Sequence, residues 1–327
     1  LINPKDYPVS LTEVYRAKRI VGQCLKPTQL IHYPALSSVT GVQVYVKHEN
    51  HNPTGSFKIR GGINLMHHLK AAGIEGVITH STGNHGLSVA TSAAWAGMNA
   101  VVVVPQHNNP VKNLAIRATG AELVEAGATL EDCAAAVDDL CLQRGLYSAH
   151  PANEPHLING VGTEFLEIVE DLPDIDVMIV PIGAGSEAAA AGTVLKALTP
   201  RCEIIAVQAE RSPAACLSWR EGQVMTAANE TFAGGFATGS AYALPFDIYR
   251  HALTDFVLLS EDEIYQGINA ALHHTHQLAE GAGAASLMAL IKLRDRLQGK
   301  KVVVQMSGCN ASPEEIATAV KLPDYPF

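Results

Sequence analysis

Asn52-Pro53-Thr54-Gly55-Ser56-Phe57-Lys58-Ile59-Arg60-Gly61-Gly62 follows the alternating, β-branched run Val42-Gln43-Val44-Tyr45-Val46-Lys47-His48 and leads straight into a helical pattern. Strand, turn and helix are thus compressed into some twenty-odd residues, with Lys58 where the helix begins. An amine at that position meets the positive end of the helix dipole, which favours its neutral form. A neutral lysine amine is a nucleophile and forms Schiff bases with carbonyls. The bland alternative is a solvated surface charge. What decides between them is the company that the rest of the chain provides.

Outward from this stretch the same unit recurs. Residues 10–22 have helical apolar spacing behind Ser10, and the helix that opens near residue 57 is predicted to run to about residue 72 and stop at Gly73. Strand-like residues 76–81 pass through Gly83-Asn84-His85-Gly86 into an Ala-rich helix, and residues 99–105 lead to a helix starting near Pro110. Residues 121–127 precede a helix over 129–145, and 147–150 close the series. A second series starts after Pro151: a helix at 156–170, strand 176–183, an Ala-rich helix from Glu187, strand 203–210 and a helix over 212–222. A loop-rich stretch at 222–254 follows, then strand 255–260, helices at 261–279 and 284–298, and strand 302–308.

Strands alternating with helices predict an α/β protein whose sheets are mostly parallel and covered by helices. The expected organisation is two lobes: a large one from residues 1–60 and 151–327, a small one from 61–150, with a ligand cleft between them.

Composition narrows the function. The 327 residues are 47% hydrophobic and 17% charged, which suits a globular chain with ample core. The formal net charge is −9 and Lys/Arg do not cluster, so nucleic acid and anionic membrane surfaces are excluded as expected partners. Cys24, Cys133, Cys141, Cys202, Cys216 and Cys309 show no C-x-x-C spacing, which predicts reduced thiols in a cytoplasmic compartment. Leu1–Ser10 carries no basic-then-apolar leader, and no apolar run is long enough to span a bilayer.

Ligands of open parallel sheets bind beyond the carboxyl ends of the strands. Ser81-Thr82-Gly83-Asn84-His85-Gly86 follows a strand and opens a helix, where main-chain N–H groups can hold a carboxylate. Gly183-Ala184-Gly185-Ser186-Glu187 does the same after another strand and suits a phosphate. Ser307-Gly308-Cys309-Asn310 ends the last strand with a neutral hydroxyl. Each segment taken singly is also a plausible tight turn. With Lys58 they make an amine, two anion cradles and a neutral donor, a set that suits a phosphorylated aldehyde and an amino acid.

These motifs, together with Glu280-Gly281-Ala282-Gly283-Ala284, resemble those of fold-type II pyridoxal-phosphate enzymes, in the branch of threonine/serine dehydratases and serine racemases. They stand in that family's order from about Lys47 to Asn310. The resemblance implies that Lys58 is the Schiff-base lysine and moves the substrate Cα proton. It implies that Phe57 packs on the cofactor ring, Asn84 contacts its 3′-oxygen, and Gly183, Ala184, Gly185, Ser186 and Glu187 bind its phosphate. Ser307 would face the pyridine nitrogen, and Ser81, Thr82, Gly83 and His85 would receive the substrate carboxylate. A neutral serine leaves that nitrogen unprotonated, a shallower electron sink that favours β-elimination from a β-hydroxy amino acid. Homodimerisation is implied too.

Four departures from the family pattern refine this. Racemases carry a second serine after Ser81 as an acid/base, and many dehydratases carry alanine; here it is Thr82, which predicts dehydration over racemisation. The branch's Ala-Asp-Gly loop is Ala233-Gly234-Gly235, removing an acid and adding room among Phe232, Phe236 and Thr238, so that Gly234 and Gly235 face a substrate as bulky as a 3-aryl serine. The branch's divalent-cation positions fall on Glu210, Ala214 and Cys216, and the lost oxygen ligand predicts no required metal. The chain ends soon after Asn310, leaving no expected room for a regulatory domain.

His273, His274 and His276 read as a polar helix face, and Cys309 as a small buried hydrophobe. Two readings from other classes compete. Gly183 to Ala188 with Glu210 also spells a dinucleotide fingerprint, implying an NAD-dependent oxidoreductase. A non-catalytic amino-acid-binding protein of the same fold is the other.

Overall fold

Residues 101–104 and 177–180 are unbroken apolar runs, and both become strands buried throughout. A strand covered on both faces has no solvent side, so it need not alternate. The computed structural model describes residues 6–323, 325 and 326, with the main chain alone at 130 and 131. In chain order the elements are α1 (Leu11–Val21), β1 (Leu30–His32), α2 (Pro34–Thr40), β2 (Gln43–Lys47), α3 (Lys58–Ala71), β3 (Gly76–His80), α4 (Asn84–Ala96), β4 (Asn99–Val104) and α5 (Pro110–Arg117). They continue with β5 (Glu122–Glu125), α6 (Leu130–Arg144), β6 (Tyr147–Ser148), α7 (Pro155–Asp171), β7 (Val177–Pro181), α8 (Ser186–Leu198), β8 (Glu203–Ala209) and α9 (Ala214–Glu221). Last come α10 (Ala243–Ala252), β9 (Asp255–Leu259), α11 (Glu261–Ala270), α12 (Gly281–Leu293), β10 (Lys301–Gln305) and α13 (Pro313–Ala319).

Local chemistry sets several boundaries. Ser10 caps α1 by accepting from the Glu13 N–H, and reciprocal capping boxes start α6 (Thr129 with Asp132), α11 (Ser260 with Glu263) and α13 (Ser312 with Glu315).

The structure divides into two units. The smaller takes the chain up to Lys26 and Lys58–Thr163; the larger takes Pro27–Phe57 and the chain from Glu164 onward. The smaller holds a four-stranded, wholly parallel sheet in the order β5-β4-β3-β6. The larger holds a six-stranded sheet, β1-β2-β10-β7-β8-β9, in which only β1 pairs antiparallel. Its core is built around α12, buried from Gly281 to Ile291 and packed on β7, β8, β9 and β10.

This division places α1 differently from the sequence reading, which put residues 1–60 with the larger unit. Val21 and Leu25 pack on Ile59 and Ile63 of α3, Val14 fills the space opposite Gly162 of α7, and Asn159 donates to the Pro8 carbonyl at 2.9 Å. An amphipathic face reports that it is buried, not what buries it. The loop-rich stretch 222–254 contains α10, and the helix expected over 261–279 ends in a π-helical turn at Ala271–Thr275 before His276 at φ 56°.

Candidate active site

Three neighbouring parallel strands of the larger unit, β2, β10 and β7, end at the same edge of the sheet. Their carboxyl ends lead to the turn Asn52–Phe57, to Ser307–Asn310 and to Gly183–Glu187. The topology therefore brings these segments together although they lie far apart in sequence.

The approach to the lysine is held by buried polar groups. The Lys47 ammonium, fully buried, donates to Glu167 at 2.7 Å and to the Thr28 carbonyl at 2.8 Å. The Thr28 hydroxyl donates to Glu49 at 2.5 Å, and the Asn52 side-chain amide donates to the same carboxylate at 2.7 Å. The chain then pairs with the segment after β10. Asn50 N–H donates to Met306 O at 3.0 Å, Phe57 N–H to Ser307 O at 3.1 Å, and Cys309 N–H to Gly55 O at 2.9 Å. Gly55 takes φ 68°, and Asn310 donates to the Thr54 carbonyl at 2.9 Å. Phe57 and Ser307 are both buried. Burial, with the Glu280 charge adding, raises the Cys309 pKa, so this thiol is not an activated nucleophile.

At the end of β7 the fit is steric. A Cβ on Gly183 would stand 1.9 Å from the Gly235 carbonyl oxygen, and one on Gly235 would stand 2.6 Å from Ala282 Cβ. Gly185, at φ 93°, is the N-cap residue of α8 and offers no side-chain cap, with Ser186 buried behind it. The start of α8, an uncapped helix N-terminus behind a glycine turn, thus has the chemistry of an anion cradle.

In the smaller unit Lys58 is the first residue of α3 and half-buried. The Ser88 hydroxyl of α4 donates to its carbonyl at 2.7 Å. Gly61 and Gly62 let neighbouring helices close on α3: Cβ atoms there would lie 2.8 Å from the Leu157 carbonyl and 2.5 Å from the Ser88 and Ser92 hydroxyl oxygens. Ser81, Thr82 and Gly83 link β3 to α4, and Asn84 is the first residue of that helix. Gly83 N–H donates to the Ser81 hydroxyl at 3.2 Å, and α4 has no side-chain cap.

His85 is placed differently from a side-chain carboxylate ligand. Its Nε2 lies 3.1 Å from Thr79 Oγ1 and 3.2 Å from Ala149 O, and the ring is buried. Burial, reinforced by the Lys58 charge, pushes its pKa down to about 3. A neutral, engaged ring leaves only the main-chain N–H of His85 for a ligand.

The loop at Gly234 holds its aromatic residues in separate packing. Phe236 is fully buried in the core, and the partly buried Phe232 stacks on Tyr265 with ring centroids 3.8 Å apart. The space itself is there: no atom lies within 4 Å of a Cβ placed on Gly234. Thr238 donates to the Gly183 carbonyl at 3.4 Å.

The cation positions carry a buried thiol at Cys216, whose N–H donates to Gln208 at 3.2 Å. Among the described residues no three His, Cys, Asp or Glu side chains group as metal ligands. No helix among them is long and apolar enough to cross a membrane, and all six cysteines are free. Sequence reasoning missed the Glu49 network, whose members are ordinary polar residues that become informative only when buried together.

A family profile described as "Pyridoxal-phosphate dependent enzyme" matches residues 21–308. The chain belongs to that family, and its cofactor is pyridoxal 5′-phosphate. Within the family it falls in the threonine/serine dehydratase branch. It is 37% identical over 300 residues to the L-threonine ammonia-lyase of Geobacter sulfurreducens, covering 91% of this chain and 74% of that one. It is 34% identical over 310 residues to the catabolic L-threonine dehydratase TdcB of Escherichia coli K12, covering 93% and 94%. The processed form of threonine deaminase isoform 2 from Solanum lycopersicum superimposes with a TM-score of 0.89 at 26% identity, covering 98% of this chain and 92% of that one. The dinucleotide reading of Gly183 to Ala188 falls with this assignment.

Proposed function

We propose that this chain eliminates water from a small β-hydroxy amino acid, L-threonine before L-serine, and releases a 2-oxo acid and ammonia. What supports this most is the single sheet edge that gathers the Phe57 approach, the Ser307 turn and the Gly183–Glu187 cradle. The relatives named for threonine ammonia-lyase activity point the same way.

Bound pyridoxal phosphate supplies the electron sink for charge at the substrate Cα. Gly183 to Glu187 would hold its phosphate through main-chain N–H groups and the Ser186 hydroxyl. Phe57 would pack on the ring, Asn84 would meet its 3′-oxygen, and Ser307 would present a neutral hydroxyl to its nitrogen. Lys58 would hold the cofactor through its amine and would be the base that takes the substrate Cα proton. The turn from Ser81 to His85 receives the carboxylate, with His85 acting through its main chain. Loss of the Cα proton and the β-hydroxide leaves an enamine, whose imine form takes up water to give ammonia and the 2-oxo acid.

Two finer readings attach to named residues. Thr82 places a hydroxyl where racemases carry serine, on a stiff β-branched side chain, so racemisation is the slower reaction. Gly234 leaves room for a larger β-substituent such as the phenyl of phenylserine.

The test is to give the purified holoenzyme L-threonine, L-serine and phenylserine, then follow ammonia, 2-oxo acid and the chirality of residual substrate. Ammonia from L-threonine outpacing D-enantiomer is the expected result. D-enantiomer forming faster makes it a racemase, faster turnover of phenylserine reassigns the substrate, and no ammonia from any of the three makes it a binding protein. Light scattering in the same buffer reads the proposed homodimer.

A further inference from the structure

Lys112 stands in an electrostatically costly place. Asn109 caps α5 by accepting from the N–H groups of Val111 at 2.9 Å and Lys112 at 3.4 Å, with Pro110 opening the helix. Lys112 therefore sits in the first turn of α5, where a cation opposes the helix dipole. Because β4 pairs in parallel with β3, the chain entering α5 lies beside the Ser81–Asn84 turn that enters α4.

The Lys112 side chain reaches over that turn. Its Nζ lies 3.6 Å, and its Cδ 3.9 Å, from where a Cβ on Gly83 would stand, and nothing else lies within 4 Å of that point. Gly83 is the N-cap residue of α4, a helix start without a side-chain cap. Neither α4 nor α5 has an acidic residue in its first turn. Lys112 is half-buried, and among the described residues its ammonium has no ion-pair or hydrogen-bond partner. Two helix N-termini and an ammonium thus concentrate positive potential at one turn, and glycine leaves the space beneath the ammonium open.

We infer that Lys112 is a substrate-binding residue, giving the turn at Ser81–Asn84 the formal positive charge that its main-chain N–H groups lack. The ligand class is an α-amino carboxylate, with simple carboxylates as competitors. This rests on the reading that the turn receives the substrate carboxylate. A charge-assisted contact is about twice as strong as a neutral one, so its loss weakens binding by roughly tenfold.

The experiment compares wild-type holoenzyme with Lys112→Gln and Lys112→Arg by calorimetric titration with L-alanine, which has no β-hydroxyl to lose. Lys112→Gln weakens L-alanine binding about tenfold, and Lys112→Arg recovers it to within about threefold. The L-threonine KM follows the same order, while kcat changes by less than about threefold. Added KCl weakens L-alanine binding more in wild type than in Lys112→Gln. Unchanged L-alanine affinity in Lys112→Gln overturns the inference, as does an equal loss in both variants. Lys112-dependent L-alanine binding without ammonia release overturns the elimination reading alone. Ammonia release with an unaltered KM in Lys112→Gln overturns this inference alone.

Discussion

The carboxyl end of the six-stranded sheet and that of the four-stranded sheet are built on different principles. In the larger unit the turns are set by contact. Gly183 tolerates no Cβ because the Gly235 carbonyl would be 1.9 Å away, and Gly283 none because the Gly308 carbonyl would be 2.0 Å away. In the smaller unit the Ser81–Asn84 turn is open, with only the flexible end of Lys112 over Gly83, and its character comes from helix ends and an ammonium. A phosphate that stays with the enzyme suits a rigid cradle. On the proposed roles, a carboxylate that arrives and leaves at every turnover suits a charged but roomy one.

The sharpest way to break this comparison is at the residue on which the proposed chemistry depends. Lys58→Ala is expected to lower ammonia release by about 10²–10⁴-fold, the size of effect a positioned acid/base contributes. Circular dichroism and the urea midpoint should stay close to wild type, because Lys58 is half-buried and the α3 packing rests on its neighbours. Retained turnover would remove Lys58 from the chemistry.

Next in size is the contact-built side. Gly183→Ala forces a Cβ against the main chain of Gly235 rather than against a side chain that can move. Overpacking of this kind costs about 1–3 kcal/mol. The expected outcome is a lower urea midpoint together with weaker retention of pyridoxal phosphate on dialysis. A variant that kept both would mean that the cradle is adaptable after all.

The readable parts of the molecule were those whose physics is local. Apolar runs at 101–104 and 177–180 and glycine turns at helix starts announce parallel strands and their ligand loops. β1 has three residues, too few to show a period, and α10 carries Pro245, which reads as a breaker although it lies within the first turn. His85 belongs to a ligand motif by its neighbours, but only the fold reveals that Thr79 and Ala149 hold its ring. Lys112 carries no signal in the sequence, since the turn it overhangs is nearly thirty residues away. The Lys47–Glu167 pair, 120 residues apart, was invisible for the same reason.

Acid should separate the two units. In the smaller, burial pushes His85 and His156 down to about 3; His156 stacks on His68 at 4.0 Å, and among the described residues its buried Nδ1 has no hydrogen-bond partner. In the larger, burial and then the His51 charge push His48 down to about 4. The unfolded chain protonates these rings below 6.5 while the folded one resists. Their stabilisation is therefore complete above 6.5 and is lost as the pH falls toward the folded values. Each ring contributes at most about 1.4 kcal/mol per pH unit. Urea titrations read through Trp95 in the smaller unit and Trp219 in the larger, each isolated by a Trp→Phe change at the other, should show the Trp95 midpoint falling further between about pH 6.5 and 5. Equal shifts would show that the units do not differ in this respect.

The smallest expected effect tests whether contact governs every glycine of the larger unit. Gly234 stands one residue from Gly235, yet a Cβ placed on it meets nothing within 4 Å, and its φ is not in the left-handed region. Removing backbone freedom from the unfolded chain at such a site stabilises a protein by about 0.4–1 kcal/mol. Gly234→Ala should therefore raise the urea midpoint slightly where Gly183→Ala lowers it. If Gly234→Ala leaves the L-threonine KM unchanged but raises that for phenylserine, the vacant space is where a larger β-substituent would lie. If both KM values are unmoved, the space is solvent.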